Sequence, residues 1–149
     1  MPIQDFNIYT ARGYAGDLVD SGPNVSQTGI CEDATLAIGV ACERGTEPRD
    51  IVVSAAANVF GIVRRELALE AKNKPSDGTT VFKKSESVSV LRQGYVYVEL
   101  ASAVTAGSML AVSATGTFGG TEATPTSNVT AEQTGIAGDI VRARIDIVA

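Results

Sequence analysis

Few residues in this chain have the type and spacing for chemistry. Val19-Asp20-Ser21-Gly22 contains the D-[ST]-G word of aspartic proteases, whose mechanism needs two carboxylates close enough to share a proton. A dimer could supply the second carboxylate. Here, though, the word is followed at once by Pro23-Asn24 and lacks a hydrophobic-hydrophobic-Gly partner to support it. There is no histidine, so a serine nucleophile would depend on a lysine or an N-terminal amine as base. No supported S-x-x-K and no G-x-S-x-G occurs. Gly116-Thr117-Phe118-Gly119-Gly120 lacks the G-K-[ST] ending of a phosphate loop. Cys31 and Cys42, with no C-x-x-C and no imidazole, fall short of a zinc ligand set. Cys42 extends the apolar run Ile38-Gly39-Val40-Ala41 and reads as a small buried hydrophobe. Both thiols are expected to be reduced, with pairing left to geometry. No catalytic residue, metal or cofactor is expected, and the chain does not read as an enzyme.

The elements that would hold such residues are strands. The 149 residues suit one domain, and a domain of this size buries roughly 70% of the surface its unfolded chain exposes. Val and Ala carry most of the 44% hydrophobic content, which favours strands over bulky helical cores. Ser87 to Leu91 and Gly94 to Leu100 alternate apolar and polar residues around Arg92-Gln93-Gly94, predicting a β-hairpin with a tight turn. Val104-Thr105-Ala106-Gly107 reads as a turn into Ser108 to Val112. Ile140 to Val148 reads as a strand with Val141, Ala143, Ile145 and Ile147 on one face. Shorter strands are expected within 36–43, 51–53, 58–64 and 79–82, with Gly61 a bulge or a point of close approach. Leu67 to Lys74 is a weak helical candidate before Pro75-Ser76-Asp77-Gly78. Of the eighteen residues from Ser113 to Thr130, eleven are Gly, Ser or Thr, predicting loops around a short strand at Thr117-Phe118. Strands at this spacing predict an all-β fold: a small, mostly antiparallel β-barrel or jelly-roll-like sandwich over 31–149, with an extended N-terminal arm over 1–30.

Charge and aromatics single out that arm. Residues 1–50 hold eight acids against three arginines, net −5, and residues 51–149 balance at nine against nine. With no basic stripe to neutralise phosphates, nucleic acid is not an expected partner. No apolar run reaches the ~18 residues of a membrane span, and the Met1 segment has neither a basic nor an apolar leader region, so neither a span nor a secretion signal is expected. Without secretion, the glycosylation words at Asn24 and Asn128 carry no weight. Residues 1–29 show no sustained period yet carry three of the eight aromatics, Phe6, Tyr9 and Tyr14. Disordered tails are poor in aromatics, so the arm is expected to dock, on its own barrel or on a neighbouring subunit.

Gly13-Tyr14-Ala15-Gly16-Asp17-Leu18-Val19-Asp20, Val59-Phe60-Gly61-Ile62-Val63, the Val88 to Val98 segment, the Val104-Thr105-Ala106-Gly107 turn and an apolar C-terminal strand occur in that order. In order and spacing, over nearly the whole chain, they resemble the structural cement (head decoration) proteins of tailed bacteriophages. The long Ser/Thr/Gly tract departs from the pattern. The resemblance implies a virion protein made in the host cytoplasm. It would sit on the outer surface of an assembled head and bridge major capsid protein subunits as a homodimer or homotrimer. On that reading Phe6, Tyr9 and Tyr14 are anchors, Asp17 and Asp20 meet basic residues of the capsid, and Tyr95 and Tyr97 form an oligomer face. The other function class is a carbohydrate-binding or adhesin module in which Tyr95 and Tyr97 stack on sugar.

Overall fold

The computed structural model describes residues 14–19, 23–53, 59–66, 81–120 and 124–147. Among them are eleven strands: β1 (Val25–Cys31), β2 (Thr35–Ala37), β3 (Ala41–Arg44), β4 (Asp50–Val53), β5 (Gly61–Val63), β6 (Val81–Lys83), β7 (Ser87–Glu99), β8 (Met109–Val112), β9 (Phe118–Gly119), β10 (Thr124–Ala131) and β11 (Ile140–Asp146). Nine form one sheet in the order β1-β4-β3-β5-β7-β11-β10-β8-β9, and β2 pairs β6 in a separate ribbon. The all-β barrel expected from the strand spacing is what the chain forms. Strand β1 begins inside the stretch read as an arm, and the helical candidate at 67–74 lies outside the described residues.

A further pairing of β1 with β7 closes β1, β4, β3, β5 and β7 into a five-stranded ring. Its pairings are antiparallel except β1 with β4. Closure removes the edges that an open sheet would leave unpaired. Inside lies a core of Cys31, Leu36, Cys42, Ile51, Phe60, Val63, Phe82, Val88 and Val90. The β2–β6 ribbon contributes to it through the cross-strand pair Leu36 and Phe82. The remaining strands extend from the other part of β7, and Leu100 pairs with Phe118 at the far end of that series. They enclose a larger core that includes Leu91, Val96, Val98, Leu110, Phe118, Val129, Val141 and Ile145.

Strand β7 is where the structure departs most from the expected hairpin. Ser87 to Glu99 is one continuous strand of 13 residues. Arg92-Gln93-Gly94 does not turn the chain back. Val25 pairs with Gln93 and Ser26 with Leu91, so Arg92 is an extra residue against β1, and such bulges bend and twist a strand. The bend lets one strand serve both interiors: Val88 and Val90 enter the smaller core, Leu91, Val96 and Val98 the larger. Full burial of a valine or leucine side chain is worth about 1.5–3 kcal/mol. These five side chains make β7 the strongest link between the two halves.

Gly94 carries φ +137°, and a Cβ there would run into the side chain of Asn24. The reason is a change of edge. Leu18 lies beside Val96, with Val19 N–H donating to the Tyr95 carbonyl, and by Val25 the chain is paired with the other half of β7 through Gln93. Asn24 passes against Gly94 between those two pairings. Gly61 is closely approached, as expected, by the Val90 side chain and the Leu91 carbonyl.

The Ser/Thr/Gly tract is a second correction. It holds the two-residue β9 but also the eight-residue β10, whose Val129 and Ala131 are fully buried. The β8–β10 register shifts between Pro125 and Thr130, in keeping with a proline that has no N–H to give the ladder. Strand β11 matches its expected pattern: Val141, Ala143 and Ile145 are buried and Arg144 is exposed. Cys31 and Cys42 are free and buried in the smaller core, with Cys42 Sγ donating to the Gly61 carbonyl at 3.4 Å. Burial pushes both thiols above the ordinary value.

Gly94→Ala should lower stability by about 1–3 kcal/mol, from a disfavoured φ and the collision with Asn24. Gly107→Ala, at φ +87° but in open space, should lose less; urea unfolding of both variants checks the order. Because the folded chain holds the Cys42 proton more tightly, stability should be full below the ordinary thiol value of 9.0 and fall as pH rises above it. Urea midpoints at pH 8 and pH 10 should show that decline, with a shallower one in Cys42→Ala.

Candidate functional site

The exposed aromatic Tyr14 opens a turn closed by the Asp17 N–H donating to the Tyr14 carbonyl at 3.0 Å. Gly16, at φ +88°, occupies the turn position that needs a left-handed residue. A Cβ there would press on Ile38 Cγ2 and come within 3.0 Å of the Val63 carbonyl, so the turn sits tightly on the barrel. From it the chain runs antiparallel along β7. Gly16 N–H donates to the Tyr97 carbonyl at 2.8 Å, Tyr97 N–H to the Asp17 carbonyl at 3.0 Å, and Val19 N–H to the Tyr95 carbonyl at 3.2 Å. Leu18 packs against the larger core. Residues 14–19 are therefore docked on their own barrel.

Docking brings together residues far apart in sequence. The pairing of Leu18 with Val96 puts both on the core side, and puts Asp17 on the same outer face as Tyr97. Across β7, Arg142 is opposite Tyr97 and Arg144 opposite Tyr95. One outer face thus carries Asp17, Tyr95, Tyr97, Arg142 and Arg144 on three neighbouring segments. Tyr14 is 66% exposed, with the Arg65 guanidinium 4.3 Å from its ring centroid. Arg65 Nη1 in turn reaches Asp17 Oδ2 at 3.2 Å, and Asp17 Oδ2 accepts the Tyr14 N–H at 3.0 Å. Asp17 thereby positions Arg65, and Arg65 holds Tyr14 in place. On β7, Tyr95 has the Arg142 guanidinium 4.4 Å from its centroid, so one side of that ring is already covered.

Of the residues singled out from sequence, the structure gathers Tyr14, Asp17, Tyr95 and Tyr97. Phe6, Tyr9 and Asp20, and with Asp20 the D-S-G word, lie outside the described residues. Sequence reasoning missed Arg65 and Arg142, whose roles depend on pairings across 48 residues and across two strands. It also passed over Arg44 and Arg92, which approach the Phe60 ring centroid at 4.6 and 4.2 Å. Among the described residues no three His, Cys, Asp or Glu side chains are grouped to hold a metal, and no helix is long and apolar enough to cross a membrane. Glu32 titrates below the usual carboxylate range because it accepts from the Thr46 hydroxyl at 2.7 Å and the Thr46 N–H at 2.8 Å. That contact ties the β1–β2 corner to the β3–β4 turn.

A face of tyrosines and arginines backed by a rigid barrel is suited to contact with another macromolecule, since these residues are enriched at interface centres. The family model described as structural cement protein (E217 gp24/Pam3 gp6) matches residues 1–146. The chain belongs to this family. A chain of the solved structure "The capsid of Myoviridae Phage XM1" is similar in fold, with a TM-score of 0.65 at 15% identity over 95% of this cement protein and 98% of that chain. The head fiber gp8.5 N base of bacteriophage phi29 is similar at a TM-score of 0.56 and 16% identity, over 83% of this chain and 95% of that one. A search of curated proteins finds no match. Family membership makes this cement protein a structural component of the phage capsid.

Arg65→Ala should leave the fold intact, costing under about 1 kcal/mol in urea unfolding because the ion pair is partly exposed. It should release Tyr14. The Tyr14 ring signals in an NMR spectrum are expected to move to the positions of a free tyrosine, while those of Tyr95 stay put.

Proposed function

We propose that this cement protein binds the outer surface of an assembled head and bridges neighbouring major capsid protein subunits through the docked turn of residues 14–19, beside the part of the face that carries Tyr95 and Tyr97. The observation that carries this reading is Tyr14: a large ring, exposed yet held by Arg65 and Asp17, so that little freedom remains to be lost on binding. Asp17 serves here chiefly as a positioning residue. Phe6, Tyr9 and Asp20 extend the contact in the segment that precedes and follows the turn. Tyr95 and Tyr97 pack against a sister copy in a homodimer or homotrimer. Small contacts repeated across an oligomer sum to tight binding only where several capsid subunits have the right spacing, so the assembled shell is favoured over free capsid protein. Such a role is mechanical and needs no catalytic group.

The sugar-binding alternative is less well supported, because Arg142 already occupies a face of Tyr95. Co-sedimentation with empty heads tests the proposal. Wild-type protein should pellet with heads, and Tyr14→Ala should bind at least about tenfold more weakly, as expected for loss of an interface anchor, with an unchanged melting curve. Equal occupancy of the two proteins would overturn the role of this face. Light scattering on the isolated protein separates monomer, dimer and trimer.

A further inference from the structure

One opening of the five-stranded ring has a chemistry that the contact face does not use. Phe60 forms its floor, 8% exposed and part of the smaller core. Arg44, the last residue of β3, and Arg92, at the bulge of β7, lie over its ring with guanidinium carbons 4.6 and 4.2 Å from the centroid. Two adjoining cavities share Arg44 and Phe60. One, of about 450 Å³, is lined also by Glu43, Val59 and Arg92. The other, of about 310 Å³, is lined by Ser26, Gln27 and Thr28 of β1 and by Pro48, Arg49 and Ile51. Three arginines therefore converge on one mouth in a chain whose net charge is −5, and among the described residues Glu43 is the one acid lining it.

A guanidinium that stacks on a ring offers its face to the ring and keeps its N–H edge for an acceptor. Arg92 Nε is buried without a hydrogen-bond partner. Arg64 and Arg142 share the feature, but only Arg92 of the three lines this mouth. Mouths of barrels are common places for ligands, and two arginine forks are matched in shape to a planar carboxylate. Glu43 on the rim favours a singly charged group over a phosphate dianion. The exposed Gln27 and Thr28 stand ready for the polar backbone on either side of such a group.

We propose that this mouth is a pocket for a carboxylate side chain on an extended acidic peptide segment, held by Arg44 and Arg92 above Phe60 and flanked by Arg49. The proposal adds to the capsid-binding reading a second, separate contact that takes an acidic segment of a neighbouring protein chain.

Titration of the full-length protein with a hexaglutamate peptide, followed by NMR, tests the pocket directly. Saturable shifts are expected at Phe60, Thr28, Arg44 and Arg92, and the affinity should fall at least about tenfold in the Arg44→Ala/Arg92→Ala double variant. Arg92→Lys keeps the charge but loses the fork; it should bind with intermediate affinity and guards against a double variant that fails to fold. Shifts absent or unsaturable, or equal shifts from inorganic phosphate at the same concentration, would overturn the proposal. With heads, the double variant should pellet more weakly than wild type while Tyr14 stays in place by NMR. Full pelleting of that variant would refute the pocket and leave the capsid reading standing, whereas failure of wild type to pellet would refute the capsid reading alone. Light scattering distinguishes the source: loss of self-association in the double variant assigns the acidic segment to a second copy, and unchanged mass assigns it to the capsid protein.

Discussion

The fold depends on one strand satisfying two interiors at once. β7 is hydrogen-bonded on both edges along most of its length, to β1 and β11 and to β5 and the 16–19 segment. It sends side chains into both cores. A regular strand alternates strictly between two faces, so it can serve two cores only if its direction changes part-way. The Arg92 bulge and Gly94 supply that change. The arrangement also explains why the ring can close with few strands: the bend tightens curvature where β1 joins.

The same residues limit what could be read from sequence. Valines at alternate positions mark 88–98 as strand, and they are strand. What local sequence does not reveal is whether a glycine with positive φ reverses the chain or lets another segment pass over it. Asn24, some seventy residues earlier, decides that, and no short window contains both. The Ser/Thr/Gly tract misleads for a related reason. Threonine and serine suit loops and solvent-facing strand positions alike, and β10 needs only Val129 and Ala131 to fill the core. By contrast β11 was plain, because its inward and outward residues differ in kind and one face is wholly buried.

The outer face of residues 14–19, β7 and β11 follows that division. Tyr14 and Asp17 stand out as an aromatic and an acid in an otherwise unpatterned stretch, and Tyr95 and Tyr97 as a period-two pair. Their meeting on one surface comes from the arm lying antiparallel to β7, a tertiary pairing that propensity does not encode. Arg65 and Arg142 look like ordinary strand-end or solvent-facing charges until the partner ring is in view. Burial also gives the two cysteines their character: it disfavours the thiolate and makes both part of the packing.

The crossing at Gly94 has a consequence for the order in which the molecule can be made. Residues 14–31 leave the ribosome well before their partners in β7, which lie roughly seventy positions later. Neither the ring nor the docked turn can close until β7 has been synthesised, and contacts at such separation form slowly because a long loop must be ordered first. The nascent chain therefore waits with residues 14–19 undocked, and the face built on Tyr14 exists only on molecules in which β7 is already in place.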